Sequence, residues 1–231
     1  MAELDDEVML AAGRGDVNQL QKLVAQGFDV KSHGGSALFN AIGNQNTAAV
    51  KCLLDHGAQV NVPVYGWDAL HLAADRGLYE IMRLLLAAGA NVHSSSRHKT
   101  PLCYAVLSHR MSNAQRASQL LLSYGARVDA FGAGQTPLWH AIRRGQRELI
   151  KLFLRAGARE IATADLPARD FRSVFTLDLI ATIRAAGGWK EYVAKHRRVL
   201  AGLVSKLSAK SVVPLDAASH VVGFWCPPGG Y

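Results

Sequence analysis

Residues 66–93 read GWDALHLAADRGLYEIMRLLLAAGANVH, and this stretch contains two short motifs that recur along the chain. One is an apolar triplet followed by a glycine and a small residue, as in LLLAAGA. The other places a capping residue, a leucine and an alanine in the order seen in DALHLAA. Because both motifs return in phase, the sequence predicts an array of small repeated units rather than one irregular domain.

The spacing of the two motifs fixes the size of the unit. The first motif ends in glycines that are 30, 32, 36 and 32 residues apart: Gly27, Gly57, Gly89, Gly125 and Gly157. The alanines of the second step by 30, 32, 32 and 36 residues: Ala11, Ala41, Ala73, Ala105 and Ala141. The longer glycine step reflects extra residues between Ala105 and Leu120, and we expect them to lengthen a helix or its connecting turn. That insertion is either a local recognition feature or neutral.

At these residues the chain resembles the ankyrin-repeat family, whose unit of about 33 residues carries a T-P-L-H-x-A motif. The resemblance covers roughly residues 5–160. It implies an all-α solenoid of stacked helix-turn-helix units with β-hairpin-like fingers. We expect an ankyrin-repeat domain over 1–160 and a helical C-terminal cap and tail over 161–231, the units being approximately 5–31, 32–62, 63–94, 95–130 and 131–160.

Local signals agree with helices at these places. In Thr100-Pro101 and Thr136-Pro137 the threonine is suited to the N-cap and the proline to the first helical position. Ser36 and Asp68 are predicted to cap the equivalent helices where proline is absent. The glycine of each unit is suited to the left-handed residue that ends the second helix.

Composition and motifs argue against several classes of protein. Three scattered cysteines among 231 residues exclude a disulfide framework or a CxxC motif. The sequence contains no HExxH, GxSxG or Walker motif, so we predict no enzyme, no metal and no cofactor. By the resemblance, His71 is a structural histidine, Cys103 stands in its place one unit later, and Cys52 and Cys103 are packed thiols. With no apolar stretch near the length of a membrane span, we expect an intracellular protein, cytoplasmic or nuclear, with no membrane partner.

The formal net charge of +8 is unevenly distributed. Residues 1–30 hold six acids and two bases, whereas residues 143–210 hold fifteen bases and six acids. Nucleic-acid binding through the basic C-terminal region is one hypothesis. It ranks last because acids such as Asp178 and Glu191 lie among the bases without interleaved stacking aromatics.

Binding of a protein partner is the function that the resemblance implies, through finger tips and the concave face of the first helices. The mapped positions are Val64, Tyr65, Trp67, Arg97, Lys99 and Gln135 on the fingers and Arg14, Asn44, Asp75, Arg76, Ser108, Arg143 and Arg144 on the helices. Tyrosine, tryptophan and arginine anchor protein interfaces. The candidate partner-binding residues are therefore Tyr65, Trp67, Arg97, Lys99, Arg76, Arg143 and Arg144, and their basic character predicts an acidic protein or peptide partner.

The residues after the repeats allow two interpretations. Apolar spacing in 175–186 and 189–207 predicts helices that cap the last unit. The segment 212–225 has a faint resemblance to an F-box or SOCS-box element, which implies a substrate adaptor of a ubiquitin ligase. Alternatively, Phe224 and Trp225 fold back onto the terminal helices.

Overall fold

A computed structural model of the chain describes residues 2–108, 111–130 and 135–159, together with 181–182, 185–188, 191–192 and 194–195. This part of the chain contains ten helices: α1 (Ala2–Arg14), α2 (Val17–Ala25), α3 (Val30–Gly43), α4 (Thr47–Asp55), α5 (Ala69–Asp75), α6 (Tyr79–Ala87), α7 (Pro101–Leu107), α8 (Met111–Ser123), α9 (Pro137–Arg143) and α10 (Arg147–Arg155). Among the same residues, β structure is limited to isolated bridges such as that between Val64 and Trp67. The predicted all-α class is confirmed.

The helices form five successive pairs that stack in two layers. The first helices α1, α3, α5, α7 and α9 each pack against the next in that order, and so do the second helices α2, α4, α6, α8 and α10. One apolar core runs through the stack from Val8 to Ala158. Because each pair buries its apolar face against its neighbours, the arrangement is the predicted solenoid.

The helix ends follow the local signals at most positions. The Thr100 and Thr136 hydroxyl oxygens accept hydrogen bonds from the backbone N–H groups of Cys103 and Trp139, at 3.4 and 3.2 Å. The five motif glycines have φ between 84° and 102° and follow the C-caps of the second helices (Gly27, Gly57, Gly89, Gly125 and Gly157). This is the left-handed geometry that favours glycine.

Two predicted caps differ from the structure. Ser36 lies inside α3, which begins at Val30 and is capped by Asp29, whose carboxylate accepts from the Lys31 and Ser32 N–H groups at 3.0 and 3.3 Å. The prediction for Ser36 is wrong because Asp29 starts the helix earlier. Asp68 occupies the N-cap position of α5 but makes no cap hydrogen bond, since its carboxylate is turned toward the His71 ring.

The extra residues of the fourth unit lengthen its second helix. In α8 there are 13 residues, whereas α2, α4, α6 and α10 have 9 each. The difference is about one helical turn. The predicted lengthening is therefore confirmed.

A series of side chains joins each pair to the one before it at the end of the first helices. Asn46 Nδ2 donates to the Ala12 and Gly13 carbonyls at 3.1 and 2.7 Å, and Asn113 Nδ2 donates to the Gly77 carbonyl at 2.9 Å. Arg76 donates to the Gly43 carbonyl, and Arg144 donates to Val106 at 2.8 Å. Backbone carbonyls at a helix C-terminus lack intrahelical partners, so these donors both satisfy them and tie the units together. We call Asn46, Arg76, Asn113 and Arg144 the junction residues.

Most of the C-terminal segment lies outside the described residues, including the predicted helix over 189–207 in its greater part and the whole of 212–225. Residues 181–182 and 185 are helical, and a turn follows at 186–188. Tyr192 packs against the core of the repeats. The turn at 186–188 agrees with the predicted helix end at Gly187-Gly188.

Candidate functional site

Two neighbouring fingers, residues 64–67 and 96–99, form matching tight turns. In each, the first and last residues exchange two backbone hydrogen bonds of 2.8 to 3.0 Å. The two central residues have positive φ in both, at 52° and 76° in the first finger and 47° and 61° in the second. This is the geometry of a type I′ hairpin turn, which favours glycine and asparagine. Only Gly66 meets that preference, and Tyr65, Arg97 and His98 adopt the disfavoured conformation.

Hydrogen bonds tie the two fingers to each other and to α7. The Ser96 hydroxyl donates to the Gly66 carbonyl of the first finger at 2.5 Å. The Tyr104 hydroxyl on α7 donates to the Ser96 carbonyl at 3.2 Å. Ser96 and Tyr104 are buried, with 4% and 5% of their surface exposed. These hydrogen bonds connect the fingers and α7, and we call this part of the molecule the two-finger surface (64–67, 96–99 and Tyr104).

An aromatic pair with two cations forms the centre of this surface. The Trp67 and Tyr104 ring centroids are 4.8 Å apart, with the planes tilted by 42°. The Arg97 guanidinium carbon lies 5.3 Å from the Trp67 centroid, and the Lys99 ammonium lies 5.5 Å from the Tyr104 centroid. Cation–π contacts of this kind are worth about 0.5–1 kcal/mol at exposed sites. The rings therefore help to hold the cations in place.

A buried histidine supports the aromatic pair from below. His71 has no exposed surface, its Nε2 lies 3.2 Å from the Ser94 carbonyl, and its ring is 5.6 Å from that of Tyr104 in an edge contact. Burial lowers the pKa of His71, and the nearby Asp68 carboxylate opposes this effect. A neutral ring that donates from Nε2 to a carbonyl of the following finger is a structural group, as predicted.

Among the described residues, no group of three His, Cys, Asp or Glu side chains could hold a metal ion. Burial raises the pKa of the Cys52 and Cys103 thiols, which keeps them protonated and weakly nucleophilic. Both are buried as predicted, and Cys103 Sγ lies 3.7 Å from the Ala130 carbonyl, taking over the role that His71 has one unit earlier.

Four of the seven candidate residues belong to the two-finger surface. Tyr65 is 89% exposed at the first tip, and Arg97 is exposed at the second. Trp67 and Lys99 are half-buried beside them. Arg97 and Trp67 are 30 residues apart in the chain, so the packing of two units, and not local sequence, brings the guanidinium over the ring.

The other three candidates make their contacts elsewhere. Arg76 and Arg144 are junction residues, and Arg144 also reaches the Ser108 carbonyl at 3.4 Å. The Arg143 guanidinium lies 5.5 Å over the Trp139 ring. Two of the three therefore have a structural use for their guanidinium groups.

The remaining mapped positions vary in exposure. Arg14 and Asn44 are exposed, whereas Val64, Asp75 and Gln135 are half-buried. Ser108 has no exposed surface, contrary to the expectation of an accessible position.

Sequence reasoning missed Tyr104 and Ser96. Tyr104 follows Cys103 in TPLCYAV, at a position that the repeated motif leaves variable. The available signal was that Tyr104 is a large aromatic residue at a variable position of the motif, one unit after the finger that contains Trp67.

No helix in the described part of the chain is both long and apolar enough to cross a membrane.

Comparison with known proteins places the repeats in a family. A model of ankyrin repeats in three copies matches residues 8–96 and 88–165. The chain is 39% identical over 169 residues to B-cell lymphoma 3 protein homolog of Mus musculus, which covers 68% of this chain and 37% of that protein. It is 32% identical over 186 residues to Ankyrin repeat and SOCS box protein 6 of Homo sapiens, covering 75% and 42%. It is also 33% identical over 134 residues to Inversin of Gallus gallus, covering 51% and 12%.

The matched region thus spans from about a tenth to less than half of the length of these relatives. The family model extends over more than half of the chain, through all five helix pairs. The chain belongs to the ankyrin-repeat family.

Proposed function

We propose that this chain is a non-enzymatic protein-interaction module that binds an acidic protein or peptide through the two-finger surface. The observation that supports this most is the Trp67–Tyr104 pair with Arg97 and Lys99 placed over its rings. Aromatic residues and arginine dominate the energetics of protein interfaces. A rigid surface also binds with a smaller loss of conformational entropy than a flexible one.

The charge of the surface favours an acidic partner. Arg97 and His98 are exposed at the second tip with Lys99 half-buried beside them, whereas the Asp68 carboxylate has only 20% of its side chain exposed and faces His71. Complementary charge steers association and selects partners. Arg143, the last residue of α9, and the junction residues Arg76 and Arg144 add positive charge at the other end of the first helices.

A selection experiment tests the proposal. The full chain serves as bait for a display library of random peptides, and the most enriched peptide is then synthesised as the probe. We expect the selected sequences to be rich in Asp and Glu. Enrichment without acidic bias would contradict the predicted partner class.

Charge reversal then locates the site. We expect Arg97→Glu to weaken binding of the selected peptide by about tenfold or more, because an attraction becomes a repulsion. Lys51→Glu is the matched control, since Lys51 is exposed on α4 and the change in net charge is the same. Equal binding by the two variants would remove the two-finger surface from the proposal. Arg76 and Arg144 are unsuitable for such tests because their loss disturbs the junctions.

A second proposal, a substrate adaptor of a ubiquitin ligase, is supported by the similarity to Ankyrin repeat and SOCS box protein 6. The recruiting element would be residues 212–225. Deleting them should abolish binding of a purified ubiquitin-ligase linker protein and leave the thermal unfolding of the repeats unchanged. Retained binding, or loss of the fold, would contradict this role.

We also propose that the protein acts inside the cell, in the cytoplasm or nucleus. Cys52 and Cys103 are free thiols, which is consistent with a reducing compartment. Imaging of a fluorescent fusion tests the location, and a secreted product would contradict it.

A further inference from the structure

We infer that Arg97 determines the specificity of the two-finger surface and that Tyr104 is its positioning residue, so that the surface selects a planar carboxylate rather than negative charge in general. This inference rests on the proposed function, because it assumes an acidic partner at the same surface. It goes further by naming the chemical group that is recognised and the residue that prepares the site for it.

The Arg97 side chain is fixed at both ends. Its backbone has φ of 47° within a turn closed by the Ser96 and Lys99 hydrogen bonds, which sets the direction in which the side chain leaves the chain. Its guanidinium lies over the Trp67 ring. The guanidinium presents a planar fork of N–H donors, from which a carboxylate can accept two parallel hydrogen bonds.

The guanidinium of Arg97 is not paired with a carboxylate among the described residues. Among the described residues, Arg83, Lys151 and Arg159 form ion pairs with carboxylates, and Arg97 is in none of these pairs. An exposed arginine that is oriented by its own chain, but not neutralised by a described acid, is the expected state of a preformed anion receptor.

Tyr104 acts through other residues, because it is buried and does not reach a partner itself. Its hydroxyl holds the Ser96 carbonyl at the base of the Arg97 finger, and its ring supports the ring of Trp67 on which the guanidinium rests. Removing the hydroxyl leaves the rings in place and loosens the finger. Tyr104→Phe is therefore the variant that separates positioning from packing.

Lys51 provides the matched comparison. It is exposed on α4, outside the two-finger surface, and a lysine is a point charge without the planar fork of arginine. Exchanging lysine and arginine at positions 97 and 51 asks whether the shape of the cation or only its charge matters for binding. The net charge is the same in Arg97→Lys and Lys51→Arg as in the unchanged chain.

The test uses the full chain and the synthetic acidic peptide obtained by display selection, with binding measured by calorimetry. We expect Arg97→Lys to weaken binding on the order of tenfold although the charge is kept, and Lys51→Arg to bind as the unchanged chain does. Tyr104→Phe should weaken binding severalfold. When Arg97→Lys is added to Tyr104→Phe, it should weaken binding by a smaller factor than it does in the unchanged chain, because the Arg97 guanidinium is then no longer held in position.

The outcomes distinguish binding of an acidic partner at the two-finger surface from specificity for a carboxylate. If Arg97→Glu abolishes binding but Arg97→Lys does not weaken it, the acidic-partner proposal stands and the carboxylate specificity is wrong. If Arg97→Glu has no effect, the proposed site itself is wrong. If the effects of Tyr104→Phe and Arg97→Lys on binding are independent, Tyr104 has only a structural role, and the positioning inference is overturned.

Discussion

Two adjacent glycines in α3 lead to opposite predictions. Gly34 and Gly35 lie in the first part of this helix, where glycine costs up to about 1 kcal/mol relative to alanine. A Cβ atom at Gly34 would lie 2.9 Å from Val30 Cγ1 and 3.3 Å from Ala58 Cβ. A Cβ atom at Gly35 would lie 3.4 Å from Val62 Cβ, which is ordinary van der Waals contact.

The sign of each effect follows from these distances. For Gly35→Ala we expect a gain of about 0.5–1 kcal/mol in the free energy of unfolding, from the higher helix propensity alone. For Gly34→Ala the same gain is opposed by overpacking, which typically costs about 1–3 kcal/mol. Val30 is a β-branched residue on the same helix, with little freedom to rotate away. We therefore expect a net loss of about 1 kcal/mol and a difference of about 2 kcal/mol between the two variants.

Urea unfolding followed by circular dichroism measures both variants under one set of conditions. If Gly34→Ala stabilises the protein as much as Gly35→Ala does, the close approach of α3 to residues 58–62 is wrong. The result also bears on the binding surface, because the early start of α3 puts helix where a finger between the first two units would otherwise lie.

Three further predictions concern stability. Arg144→Ala should lower the free energy of unfolding by about 2 kcal/mol, since it removes charge-assisted hydrogen bonds to the carbonyls at the end of α7. The control Arg83→Ala, at an exposed ion pair, should lower it by less than about 0.5 kcal/mol. Similar urea midpoints for the two variants would contradict the junction role of Arg144. The pKa of His71 is lowered in the folded protein, so His71 binds a proton more readily in the unfolded chain. Its contribution to the free energy of unfolding is therefore complete above the ordinary pKa near 6.5 and declines as the pH falls below that value. His71→Gln should unfold with a weaker dependence on pH between neutral and mildly acidic conditions, and an unchanged slope would refute the assignment. Thr136→Ala should cost about 1 kcal/mol through the lost cap, while Ser36→Ala, in the exposed interior of a helix, should be neutral or slightly stabilising, as thermal melts would reveal.

The features that could be predicted from the sequence are those fixed within a few residues. A threonine before a proline creates a cap and a compatible first helical residue, and a glycine after an apolar triplet adopts positive φ without strain from a Cβ atom. Thr100, Thr136 and Gly89 therefore behave as their local sequence indicates. The repeat period then places successive pairs beside each other.

The start of α3 shows where local reasoning fails. Ser36 stands where the other units have their cap, but no proline follows it. Asp29 supplies a competing cap, and its hydrogen bonds with Ser32 lower the pKa of its carboxylate. Which cap prevails depends on whether the preceding residues can pack as helix against the next unit, and the two glycines allow that packing. This information lies partly in residues 58–62 and not in the cap itself.

The two-finger surface was predictable only in part for a similar reason. The resemblance placed Tyr65, Trp67, Arg97 and Lys99 on fingers, because finger positions follow from the phase of the repeat. It did not indicate that Tyr104 on α7 would stack on Trp67, since the contact depends on side-chain directions across a unit boundary. Contacts of this kind depend on how two units pack and not on the period that relates them.

The arginines on the mapped side of the molecule have different tasks, and this changes the meaning of the positive charge. Arg76 and Arg144 donate to backbone carbonyls at the ends of the first helices, where Asn46 and Asn113 do the same at the other junctions. A neutral asparagine serves at two junctions, so the charge of the two arginines is incidental to that task. Arg97 is at the opposite end of the unit, where its side chain is exposed and its guanidinium lies over the Trp67 ring. Since a first helix runs from finger to junction, the junction end holds the stack together while the finger end is left for a partner. Loss of stability on mutation should therefore concentrate at the junction residues, and loss of binding at the two-finger surface.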